Sequence, residues 1–106
     1  MATAINPVQQ REFVCPSEAN AERPTTFKIA TLTGTQFLDV IADYKIDYVK
    51  AVRYGLRDWS EFYDAEGKEI PFSPLAINQV PPLLLREVAE RIVNDSQLGD
   101  DQLKNS

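Results

Sequence analysis

The sequence predicts an α+β domain that is predominantly α-helical, with a small N-terminal β-hairpin followed by about four helices. Three observations carry that expectation. Residues 26–32 alternate apolar and polar positions, the period of a half-buried strand. Val49, Val52, Leu56, Trp59 and Tyr63 recur at steps of three and four, which places them on one stripe of a helix. Two proline-led restarts, at Ser73-Pro74 and Pro81-Pro82, then divide the remainder of the chain into short helical pieces. With 106 residues, residues 1–106 form a single domain with one core.

Residues 1–10 offer only Ile5 and Val8 as apolar anchors and read as a loose arm. Residues 11–15 form a short strand that Pro16 stops, residues 17–25 a loop, and residues 26–32 the strand that pairs back on the first. Thr33 and Gln36 have the spacing of a capping box, so a helix begins there, burying Phe37, Leu38 and Ile41 with Val40 at its margin and Tyr44 continuing the spacing. The main helix runs from about Asp47 to the stripe's end at Tyr63, with Ala51 and Gly55 as a small-residue flank open to close approach by another helix. Asp64-Ala65-Glu66-Gly67-Lys68-Glu69 is a polar turn with a glycine where a positive φ is needed. A short helix capped by Ser73 ends near Gln79. The last helix starts at about Pro82 and buries Leu85, Val88, Ala89 and Ile92, with Leu83 on its polar side. Periodicity fades after Asn94, which predicts a frayed tail over residues 95–106.

Composition narrows the function. The chain carries 43% hydrophobic and 25% charged residues and no apolar run of membrane-spanning length. Its start lacks the basic and apolar regions of a secretory signal, which predicts a cytosolic protein. The single cysteine, Cys15, forms no internal disulfide and reads as a small buried residue; with no histidine in the chain, neither a zinc site nor a histidine-based catalytic arrangement is available. A net charge of −5 argues against nucleic acid as the main partner. No cofactor or metal is expected, and Asp64-x-Glu66-Gly67-x-Glu69 lacks the ligand positions of a calcium loop.

Six residues are the candidates for partner binding. Lys50, Arg53 and Arg57 lie along one flank of the predicted helix. They are either a solvated face laced by Asp47 with Lys50 and Arg57 with Glu61, pairs worth ~0.2–0.5 kcal/mol each, or a receiver for an acidic partner or phosphate. Phe62 and Tyr63, beside the turn, divide between core and interface anchor, whereas Trp59 belongs to the core stripe. Leu83 is either covered by the N-terminal arm or offered to a partner.

The run Tyr48-Val49-Lys50-Ala51-Val52-Arg53-Tyr54-Gly55-Leu56-Arg57-Asp58-Trp59, followed by Tyr63-Asp64-Ala65-Glu66-Gly67-Lys68-Glu69-Ile70-Pro71-Phe72-Ser73, resembles the central signature of small tail assembly chaperones of long-tailed bacteriophages and prophages. The likeness extends over residues 26–93 and departs from the pattern at Pro81-Pro82 and in the N-terminal arm. It implies a non-enzymatic protein of the bacterial host cytoplasm that binds the tape measure protein, helps bring tail tube protein to it and self-associates as a homo-oligomer. The competing readings are a structural virion component, such as a head-tail joining or tail terminator subunit, and a small DNA-related regulator.

Overall fold

A computed structural model of the chain describes residues 10–42 and 45–104, with side chains as far as Gln97 apart from position 42. The expected hairpin is present: β1 (Gln10–Val14) pairs antiparallel with β2 (Thr26–Ala30), from Gln10↔Ala30 to Val14↔Thr26. Between them Pro16 opens a 3-10 turn, Pro16–Glu18, and the buried Cys15 donates its thiol hydrogen to the Leu84 carbonyl at 3.8 Å. The expected loose arm lies outside the described residues except at Gln10, which opens β1.

The capping box forms as predicted. Thr33 Oγ1 accepts from the Gln36 N–H at 3.2 Å, Gln36 Oε1 accepts from the Thr33 N–H at 3.0 Å, and α1 (Gly34–Val40) follows. The helix is shorter than expected because the β-branched pair Val40-Ile41 turns the chain into a two-stranded ribbon, β3 (Ile41–Ala42) with β4 (Lys45–Ile46). Val40, placed at the margin from the sequence, is fully buried, while Leu38 is 73% exposed. Tyr44 lies outside the described residues.

The largest correction concerns the main helix. Asp47 caps it through its side chain, accepting from the Lys50 N–H at 3.1 Å, but α2 (Tyr48–Gly55) stops at Gly55 and the chain continues as β5 (Leu56–Ser60). β5 joins the free side of β2, so the sheet is three-stranded and antiparallel in the order β1-β2-β5. The architecture is therefore mixed α+β with three α-helices, not a hairpin followed by about four helices. The misleading signal has a physical origin. Lys28 pairs with Asp58 and Ile29 with Leu56, which leaves Arg57 as the extra residue of a β-bulge. The bulge sets Leu56 and Trp59 on one sheet face although they are three apart, the spacing of neighbours on a helix.

Trp59 is the hub of the core at this end. Phe62 and Phe72 meet its ring edge-on at 4.9 Å, Phe27 at 6.4 Å, and its indole N–H donates to the Ile70 carbonyl at 2.7 Å. That bond closes the predicted turn: Asp64 Oδ1 accepts from the Glu66 and Lys68 N–H groups, both at 2.9 Å, and Gly67 takes φ 82°. Ser73 caps as expected, its hydroxyl accepting from the Ala76 N–H at 3.1 Å, but the short helix is a 3-10 turn, Leu75–Gln79.

α3 (Pro82–Lys104) buries Leu84, Val88, Ala89, Ile92 and Val93 against α2 and the sheet. It does not end where apolar spacing fades. Asp95 is buried and bonded to Arg91 at 2.9 Å, and the Ser96 hydroxyl donates to the Ile92 carbonyl while accepting from the Leu32 N–H at 2.8 Å. Polar side chains thus anchor the first turn of the expected tail. Gly55 lets α2 and α3 close together: a Cβ there would stand 2.6 Å from Ile92 Cγ2. The outer face of the sheet stays open, with Glu12, Lys28 and Asp58 aligned across its three strands.

Candidate functional site

The end of α2, the bulge and the segment after the tight turn meet to form a groove of about 610 Å³. Local chemistry fixes each wall. Leu56 closes α2, its N–H donating to the Val52 carbonyl, and points inward at 4% exposure. Phe72 is held in place by the Trp59 ring, and the Ser73 cap starts a 3-10 turn that buries Ala76 and Ile77 but leaves Leu75 79% exposed. Together Leu56, Phe72, Leu75 and Ile77 make an apolar floor. Arg53, from the last turn of α2, and Arg57, the bulged residue, stand on its rim. Neither arginine has a carboxylate partner among the described residues, although the chain as a whole carries a net charge of −5.

The other candidate residues fall elsewhere. Lys50 pairs with Asp39 at 3.2 Å instead of Asp47, whose carboxylate is used as the helix cap. Asp39 also accepts from the Tyr54 hydroxyl at 2.5 Å; this bond first, and Lys50 second, hold its carboxyl below the usual range. Lys50 is thus part of a clamp between α1 and α2. The expected Arg57–Glu61 pair does not form, because the extended chain sets residues four apart at about 13 Å, against about 6 Å along a helix. Glu61 instead binds Arg23 at 3.2 Å.

Phe62 is 7% exposed and packed on Trp59, which makes it a core residue and not a surface anchor. Tyr63 borders a second concavity of about 280 Å³ beside Arg23, Glu61 and Leu84. Its hydroxyl donates to Glu61 and accepts from Arg23, whose guanidinium also lies 5.4 Å from the Tyr63 ring centre. The Glu61 bond, then desolvation, raises the phenol's pKa. Glu61 takes φ 59°, an uncommon conformation held by the Thr25 hydroxyl on its carbonyl at 2.8 Å. The charges here satisfy one another. Leu83 stands 57% exposed on the first turn of α3, and the arm that would cover it lies outside the described residues.

Burial, followed by the nearby Glu87, pushes the Cys15 thiol up to about 12, so it stays neutral and unreactive. Among the described residues no three potential ligands cluster to hold a metal ion, and no helix is long and apolar enough to cross a membrane. Sequence reasoning singles out Arg53 and Arg57 but misses Phe72, Leu75 and Ile77. The available signal is Ser73-Pro74 with Pro81-Pro82, which leaves too few residues between them to bury every apolar side chain. Comparison with protein-family models, characterised proteins and solved structures gives no match.

Proposed function

We propose that the chain is a non-enzymatic tail assembly chaperone acting in the cytoplasm of a bacterial host, where it binds the tape measure protein, presents it to tail tube protein and self-associates as a homo-oligomer. The resemblance in residues 48–73 suggests the family, and one observation gives it physical content. That run folds into a single unit, pinned by Trp59, whose surface is an apolar groove with two arginines that have no carboxylate partner among the described residues. Holding an aggregation-prone chain in solution requires exposed apolar surface beside charge and requires no chemistry. Co-expression with the tape measure protein from the same genome tests the proposal. The expected result is that the client becomes soluble and co-purifies with this chain, and that purified virions lack it. A stoichiometric amount in virions would favour the structural-component alternative.

A further inference from the structure

We propose that the groove between Arg53 and Arg57 is a docking site for an amphipathic, acidic helical segment of another protein, its apolar side chains seated on Leu56, Phe72 and Leu75 and its carboxylates on the two guanidiniums. This inference rests on the protein-binding function above and specifies its partner's chemistry. Charge complementarity is the first argument. In a chain of net −5, two arginines without carboxylate partners among the described residues flank one apolar floor. A guanidinium binds carboxylates through paired N–H donors, and beside apolar surface the contact is less screened than in open water.

Side-chain docking is favoured over strand addition because the Trp59 N–H on β5 is already taken by Asp58 Oδ1 at 2.8 Å. A helix suits the lining, since it presents apolar and acidic residues on adjacent stripes. A second copy seated symmetrically on the same patch would set four guanidiniums against one another. Nucleic acid is opposed by the chain's net charge of −5.

The test uses the full chain and two synthetic helical peptides of about 18 residues, long enough to form a helix on binding. One carries leucine and glutamate at helical spacing; the other has lysine for every glutamate. Trp59, the only tryptophan, packs on the groove residue Phe72 and reports occupancy by its emission. The glutamate peptide should bind, the lysine peptide should not, and affinity should fall as salt rises. Arg53→Glu/Arg57→Glu should weaken binding at least about tenfold, and so should Leu75→Asp, an exposed position whose change leaves the fold intact. Arg53→Gln/Arg57→Gln, the milder pair, should fall between. Equal binding of both peptides, or unchanged affinity in the groove variants, overturns the proposal. So does competition by an oligonucleotide, or a groove-dependent change of oligomeric state in sedimentation. If the tape measure protein co-purifies equally with the native chain and the glutamate variant, this inference fails while the chaperone function stands. If the glutamate peptide binds in the groove but the tape measure protein does not co-purify with the native chain, this inference stands while the chaperone function fails.

Discussion

Adding one methyl group at Gly55 tests how the helices meet. An alanine Cβ would lie 2.6 Å from Ile92 Cγ2, 2.8 Å from Ile92 Cδ1 and 3.1 Å from the Ala30 carbonyl oxygen. None of these neighbours gives way easily. Ile92 is fully buried, its Cγ2 sits on a branched carbon with one preferred rotamer, and the third contact is backbone. Overpacking of this kind costs about 1–3 kcal/mol. Against it stands the gain in helix propensity from glycine to alanine, at most ~1 kcal/mol and less at the last residue of α2. A net loss of about 1–2 kcal/mol results, which at a urea slope of about 1–1.5 kcal/mol/M moves the unfolding midpoint down by roughly 1 M. A double-mutant cycle isolates the cause. Ile92→Ala alone should cost ~2–5 kcal/mol, but Gly55→Ala added to it should cost clearly less than in the parent, because both Ile92 contacts are gone and only the 3.1 Å approach to the Ala30 carbonyl is left. If Gly55→Ala is as stable as the parent, or costs the same in both backgrounds, the close α2–α3 approach is wrong.

Individual contacts lead to further expected outcomes. Trp59→Phe removes the donor to the Ile70 carbonyl and part of the ring that holds Phe62 and Phe72, and should destabilise by about 1–3 kcal/mol in urea unfolding. Cys15 should resist a thiol reagent at pH 8 in the folded protein and react fully in denaturant; its raised pKa favours the fold below 9.0, and that contribution is lost as pH climbs toward about 12. Asp39 has a depressed pKa, so its contribution is present above the ordinary value of 3.8 and disappears as pH falls through the lowered one. Asp39→Asn should therefore reduce the urea midpoint at pH 7, with the gap from the parent closing in acid.

The legibility of this chain is uneven for identifiable reasons. Thr33 with Gln36, Ser73, the Asp64–Gly67 turn and the β1–β2 hairpin are readable because each depends on side chains close in sequence. β5 is not. Its exposed Arg57 and Asp58 and its inward Leu56 and Trp59 copy the spacing of a helix, and only the bulge opposite Lys28 and Ile29, a tertiary feature, converts that spacing into a strand. The end of α3 is hidden in the sequence because Asp95 and Ser96 look like tail residues until Arg91 and the Leu32 amide are known to meet them. At the groove the same bulge decides the outcome. It frees Arg57 from Glu61 and places it with Arg53 above Phe72 and Leu75, residues that no periodicity links to either arginine.

Hydrogen exchange on the chain alone and in complex with co-expressed tape measure protein tests the central claim most directly. The account predicts new protection in the amides of residues 53–57 and 72–78, and none on the outer sheet face around Glu12, Lys28 and Asp58. Protection confined to that open face, or no change around the groove in a complex that forms, would contradict it.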